Sequence, residues 1–199
     1  MAQLSQHKTT KKIGVLNLQG AVSEHLNALT NIANVLAVAV KDAVQLADLD
    51  GLVIPGGEST AISRLINQNN LTLVIKQMAL QGKGIFGTCA GLVLCGSSTP
   101  QNEVEQLKLI DISVERNGFG RQINSFETTL DIAPIGKQIP AIFIRAPYIV
   151  KAGDQVKQLA FVDNHCVMAQ QDNVLVCSFH PELTSDNRII QYFVNCCCS

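Results

Sequence analysis

Apolar residues arrive in short blocks through the first half of the chain. The block at 13–18 is rich in Ile, Val and Leu and reads as a buried strand. Over 21–33, Val22, Leu26, Leu29 and Ile32 recur at three- and four-residue spacing, which marks one face of a helix. Strands at 35–40 and 51–54, helices at 60–67 and 71–81, and a strand at 84–86 continue the alternation. Such alternation predicts a parallel sheet covered on both faces by helices. Beyond residue 110 the pattern changes. The stretches 110–116, 122–132, 141–144, 158–162, 166–169 and 174–179 read as strands separated by turns, and 187–194 reads as a closing helix. The fold class is therefore α/β: a single doubly wound, mostly parallel sheet with helices on both faces and antiparallel additions. One domain spans 13–195, after a polar extension at 1–12 and before a cysteine tail at 196–199.

Composition narrows the chemistry. A chain of 199 residues, 47% hydrophobic and 16% charged, can build one well-cored domain. A net charge of −1 gives no electrostatic reason to expect nucleic acid or an anionic membrane as partner. No apolar run approaches the ~20 residues that span a bilayer. The seven cysteines follow no secretory segment, which suggests mostly free thiols in a reducing, cytoplasmic setting. Cys196, Cys197 and Cys198 lack both the spacing of a zinc site and the aliphatic positions of a prenylation signal, and read as a frayed, solvent-facing tail.

Gly87-Thr88-Cys89-Ala90-Gly91 lies between a strand-like and a helix-like run. A sharp strand-to-helix turn crowds its central residue, and glycines two places away on either side remove the clashing Cβ atoms. The turn would aim the Cys89 sulfur at the positive end of the next helix, where thiolate is favoured. Cys95, Cys166 and Cys177 have no such context and read as small buried hydrophobes. His180-Pro181-Glu182 follows a strand. If the segment stays extended, Glu182 lies on the same side as His180 and can orient its ring. Pro55-Gly56-Gly57-Glu58-Ser59-Thr60 ends the third strand; its glycines allow main-chain N–H groups to converge on an anion, while Ser59 or Thr60 can cap the next helix. Arginines beside apolar residues occur in Arg116-Asn117-Gly118-Phe119-Gly120-Arg121 and in Phe143-Ile144-Arg145-Ala146-Pro147, where a planar guanidinium suits a carboxylate or a surface ion pair. His7 and His165 lack a functional context, and His25, on the first helix, reads as a surface residue. No dinucleotide or Walker fingerprint occurs.

Taken in order, Gln19-Gly20-Ala21, 55–60, 87–91, 116–122, 143–147 and 179–183 resemble the triad-type glutamine amidotransferases, and among them the glutaminase subunits of pyridoxal 5'-phosphate synthase. The resemblance covers about 13–194. It implies a class I glutamine amidotransferase-like fold with Cys89 as nucleophile, His180 as acid/base and Glu182 as orienting carboxylate. It also implies that Gly56, Gly57, Glu58, Arg116, Ile144 and Arg145 hold L-glutamine. Gly57 and Ala90 would serve the oxyanion, with Gln19 near it and at the partner interface. No metal or cofactor is expected; the expected partner is a synthase subunit in a large hetero-oligomer. Three positions depart from the pattern: Gly118 replaces an expected serine, and Tyr148 and Asn187 stand where histidine is common. A glutaminase serving another synthase, or a non-catalytic regulatory docking subunit, remain the alternatives.

Overall fold

The structure is a computed structural model that describes residues 9–99, 104–119 and 125–198. Five parallel strands form its centre: β1 (Lys11–Leu16), β2 (Val35–Val40), β3 (Gly51–Ile54), β4 (Gly84–Thr88) and, from far along the chain, β11 (Val174–Cys177). Between them in sequence run α1 (Val22–Thr30), α2 (Ala43–Ala47), α3 (Ser59–Gln68), α4 (Thr72–Leu80) and α5 (Ala90–Cys95). The second half adds β5 (Ile112–Glu115), β6 (Ser125–Ile132), β7 (Gly136–Ile144), β8 (Tyr148–Ala152), β9 (Lys157–Val162), β10 (His165–Gln171) and a closing α6 (Arg188–Cys196). The main sheet runs β2-β1-β3-β4-β11-β10-β8-β5, with β9 paired to β10. Pairing is parallel from β2 through β11 and antiparallel beyond it. Strands β6 and β7 form a separate hairpin.

Period-two alternation along the central strands divides the core in two. Leu52 and Ile54 of β3, Ile85 of β4, and Val174 and Val176 of β11 face one layer, packed with Ile62, Ile66, Ile75 and Leu92 from α3, α4 and α5. Val53, Phe86, Leu175 and Cys177 face the other, against Leu29 of α1 and Ile190 and Phe193 of α6. Because both faces are covered, these strands read as unbroken apolar runs rather than alternating ones. Among the described residues no helix is long and apolar enough to cross a membrane.

Two elements escape the hydrophobic pattern. Helix α2 has five residues, buries only Leu46 and starts on an Asp42 side-chain cap, so it is too short to show a period. In β8 only Ile149 is buried, which hides its alternation. The predicted strand at 141–144 extends back to Gly136, because the polar half of β7 is paired with β6. Residues 122–124 of the predicted sixth strand, like 1–8 of the polar extension and Ser199, lie outside the described residues.

The expectation of a frayed cysteine tail is wrong. Cys196 ends α6 and is exposed, but Cys197 and Cys198 are 3% and 4% exposed. A Cβ on Gly51 or on Gly84 would come within 2.6 Å of the Cys198 sulfur. The two glycines that open β3 and β4 thus make the slot that receives it. The Lys11 ammonium donates to the carbonyls of Val194 and Cys198, closing the seam against β1. Burial pushes the Cys197 and Cys198 thiols up to about 12. Two of the sequence departures also prove to be one. A Cβ on Gly118 would lie 2.2 Å from the Tyr148 ring, which is stacked on His165 at 3.9 Å and edged by Phe119 at 5.8 Å. The larger ring occupies the space that glycine leaves.

Gly118→Ser should therefore destabilise the fold by about 1–3 kcal/mol, read from the denaturant midpoint. In a Tyr148→Ala background it should cost less than about half of that; additive costs would show that the two positions do not meet. For the tail, brief alkylation of the native protein should modify Cys196 and spare Cys197 and Cys198, as read by peptide mass spectrometry. Equal labelling of all three would contradict the packing described here.

Candidate active site

Strand β4 ends in a turn that no ordinary residue adopts freely. Cys89 has φ 49° and ψ −101°, in a region that is strained for a side-chain-bearing residue. Backbone packing enforces it. A Cβ on Gly87 would lie 2.6 Å from the Gly91 carbonyl, and one on Gly91 would lie 2.0 Å from the Ile54 oxygen. The Cys89 N–H donates to the Cys177 carbonyl at 2.8 Å, which fastens the turn to β11. The thiol emerges over the start of α5 and is 8% exposed, with the Ile144 carbonyl accepting from it at 3.8 Å. Cys95, Cys166 and Cys177 are sealed as expected. Burial pushes the first two thiols up to about 12 and about 11, and Cys177 well above its ordinary value.

His180 faces Cys89, and its Nδ1–H donates to Glu182 Oε1 at 2.7 Å. The route to this contact differs from the extended one predicted. Strand β11 stops at Cys177, and Pro181 opens a 3-10 turn over Pro181–Leu183 that curls the carboxylate back under the ring. Proline suits the first position of such a turn because it has no N–H to leave unpaired. The His180 N–H donates to the Ile142 carbonyl at 2.9 Å, so β7 also fixes the histidine. Burial alone would lower the His180 pKa. The hydrogen bonds to Cys89 and Glu182, with the charges behind them, overcome this and raise it to about 10.

The glycine turn after β3 closes over this pair. Gly56 donates its N–H to Thr88 Oγ1 at 3.1 Å, and its carbonyl accepts from the Ala21 N–H at 3.0 Å. A Cβ on Gly56 would be 2.4 Å from His180 Cε1, so only glycine lets the ring stand there. Gln19 packs on Gly57, and its Oε1 accepts from the Glu58 N–H at 3.0 Å. The cap of α3 is Glu58 rather than Ser59 or Thr60: its carboxylate accepts from the Thr60 and Ala61 N–H groups at 3.0 and 2.6 Å. Desolvation opposes ionisation of Glu58, but these amides, aided by Arg116 at 3.5 Å, hold it below the usual carboxylate range.

A cavity of about 440 Å³ opens over the sulfur. Gly56, Gly57, Glu58, Cys89, Ala90, Arg116, Ile144, Arg145 and His180 all line it. Glu182 lies behind His180, and Gln19 lies behind Gly57. Gly20, Ala21, Asn117 and Pro147 also reach the cavity, although the sequence did not single them out as site residues. Arg145 sits at φ 44° on the rim with no hydrogen bond or ion pair among the described residues. Gly120, Arg121 and Gln122 of the arginine motif lie outside the described residues.

Two polar residues behind the site, His25 and Thr88, carry no functional mark in the sequence. His25 is 1% exposed, not superficial, with Nε2 3.0 Å from Thr88 Oγ1 and 3.5 Å from Glu182 Oε1. A signal existed: His25 falls three residues after Val22 and four before Leu29, within the apolar stripe of α1.

The chain is similar to known proteins along most of its length. Residues 15–199 match the SNO glutamine amidotransferase family. The chain is 50% identical over 187 residues to a pyridoxal 5'-phosphate synthase subunit PdxT of Pasteurella multocida, covering 93% of this chain and 96% of that one. A PdxT of Geobacillus kaustophilus is 52% identical over 184 residues, covering 92% and 93%. A crystal structure of a glutamine amidotransferase superposes with TM-score 0.88 at 37% identity, covering 93% of this chain and 98% of that one. The structure of PurLQS from Thermotoga maritima, at TM-score 0.66 and 17% identity, covers 94% of this chain and 99% of that one and shares the fold. The chain belongs to the SNO glutamine amidotransferase family.

Proposed function

We propose that this glutamine amidotransferase hydrolyses L-glutamine to L-glutamate and ammonia through Cys89, His180 and Glu182, and passes the ammonia to a pyridoxal 5'-phosphate synthase subunit. One observation carries the reading: a strained cysteine and a carboxylate-bound histidine meet at the floor of a cavity whose rim carries Arg145, unpaired among the described residues. The relatives of about 50% identity, each named as a subunit of that synthase, support the partner. The free thiols of the described residues agree with a reducing, cytoplasmic setting.

The reaction follows from the geometry. His180 already holds the proton that Cys89 gives up, and the thiolate attacks the side-chain carboxamide carbon. The Cys89 N–H is already occupied by Cys177, so the Ala90 N–H, at the first position of α5, is the elbow's available donor to the developing oxyanion. Gly57 on the facing turn supplies the second donor, and Gln19, bonded to the next amide, sets that turn. The His180 imidazolium then gives its proton to the departing nitrogen, and the C–N bond breaks to leave a glutamyl thioester. Water then attacks the thioester and gives a proton to His180, and the C–S bond breaks to release glutamate and return the thiolate beside the imidazolium. Glu182 holds the Nδ1–H throughout and stabilises the imidazolium. Arg145 and Arg116 suit the α-carboxylate of glutamine, and Glu58 suits its α-ammonium. Ammonia released into water would be protonated and lose its nucleophilicity, hence the need for a docked acceptor.

Glutamate release by the chain mixed with its synthase subunit tests this reading. Cys89→Ala should lower it by about 10⁴-fold or more with an unchanged melting temperature; undiminished turnover would reject the assignment. Stimulation by a different synthase instead would redirect the ammonia.

The pH profile follows from His180. A pKa raised from 6.5 to about 10 keeps the ring protonated through neutral pH, so its share of stability is fully present below about 6.5 and lost as pH rises through about 10. The alkaline limb of the kcat profile should fall near that upper value, where the acid that protonates the leaving nitrogen disappears. Because Glu182 is one of the groups that raises it, Glu182→Gln should move that limb to lower pH. A limb unmoved by the substitution would refute the role given to Glu182.

A further inference from the structure

Glu182 is a buried carboxylate with an uneven environment. Its Oε1 meets both His180 Nδ1 at 2.7 Å and His25 Nε2 at 3.5 Å, while Oε2 has no hydrogen-bond partner among the described residues. A carboxylate held at one oxygen can rotate, and rotation would carry away the group that orients His180. His25 stands where it prevents this. Its ring sits edge-on to Phe86 at 6.4 Å, and Thr88 Oγ1 lies 3.0 Å from the same Nε2. That hydroxyl also accepts the Gly56 N–H at 3.1 Å. A chain of polar contacts therefore runs beneath the cavity from the Gly56 turn, through Thr88 beside the nucleophile, to His25 and on to Glu182.

We propose that His25, seated by Thr88, is a positioning residue for the reaction: it holds the Glu182 carboxylate in the one rotation that presents Oε1 to His180. The inference rests on the glutaminase reading above. Glu182 Oε1 can only accept, so the hydrogen of the neutral His25 ring belongs on Nε2, where Thr88 and Glu182 share it. Neutrality matters to the role. Burial lowers the His25 pKa; Glu182 opposes this, and the neighbouring His180 charge adds to the lowering. A second imidazolium would compete with His180 for the carboxylate, whereas a neutral N–H orients the carboxylate without neutralising it. Because Thr88 adjoins Cys89 and binds Gly56, the same contact keeps nucleophile, anion-holding turn and acid in one register.

The test measures kcat and KM for glutamate release by the full chain with its synthase subunit. His25→Leu should lower kcat by about tenfold or more while KM stays within about twofold, since it touches no substrate. His25→Gln, which places an N–H donor at the reach of Nε2, should recover kcat to within about threefold of the unmodified chain. Thr88→Val removes the hydroxyl at nearly constant shape and should give the same kcat-selective loss; it carries the test if His25→Leu does not fold. A kcat within about twofold of the unmodified value in the folded variant, or a glutamine variant as impaired as the leucine one, overturns the proposal. Failure of the glutaminase reading looks different: the unmodified complex would release no glutamate, or Cys89→Ala would release as much, and both conclusions would fall together.

Discussion

The left-handed twist at Cys89 is the constraint on which the site depends. Its φ of 49° is unfavourable in itself, and it persists because the surrounding backbone leaves no alternative. Gly87 and Gly91 touch across the turn, Gly91 lies against the Ile54 carbonyl, and the Cys89 N–H is tied to Cys177. These contacts join three neighbouring strands, β3, β4 and β11, at their carboxyl ends. Local strain is thus held by the sheet, and the sulfur is presented to the cavity with little freedom to withdraw.

Strand order explains how residues so distant in sequence come together. The sequence of neighbours β1-β3-β4-β11 lays four carboxyl ends in a row. From them emerge Gln19, the Gly56–Gly57 turn, Cys89 and His180 in the same spatial order. Open α/β sheets place ligands at this edge because parallel strands release their loops on one side, where helix N-termini also gather. The antiparallel half serves a different purpose. Strand β7 anchors the His180 amide through Ile142 and supplies Ile144 and Arg145 to the cavity rim, and the loop after β5 supplies Arg116.

Much of this was legible in the sequence because it rests on local chemistry. Glycines around Cys89, the His-x-Glu pair and the glycine turn after β3 each advertise a backbone requirement that few residues satisfy. The failures share a cause: they depend on contacts between distant segments. Cys197 and Cys198 look like a polar-ended tail until Gly51 and Gly84 are seen to form a slot for the sulfur. His25 looks superficial because histidine usually is, and only the partners at Thr88 and Glu182 make its burial affordable. The Glu58 cap escapes the sequence for a related reason. Ser59 and Thr60 are commoner caps, but here they are already helical and the carboxylate before them reaches the open amides.

The rim of the cavity carries its own consequence for binding. Glu58 and Arg116 face each other at 3.5 Å, with side chains 54% and 22% exposed. An ion pair this exposed contributes on the order of 0–1 kcal/mol, so separating it costs little. Yet each partner is positioned by something stronger. Glu58 is fixed by two main-chain amides, and the Arg116 loop is packed through Phe119 and the Gly118–Tyr148 contact. Under the proposed reading an amino acid entering between them exchanges one weak pair for two charge-assisted contacts, one at each end of its zwitterion. The side chain is then left to point inward, toward Cys89. A molecule lacking either charge would gain only one of those contacts, so preference for a free amino acid over a simple amide follows from the spacing of two charges whose pairing with each other adds little to the fold.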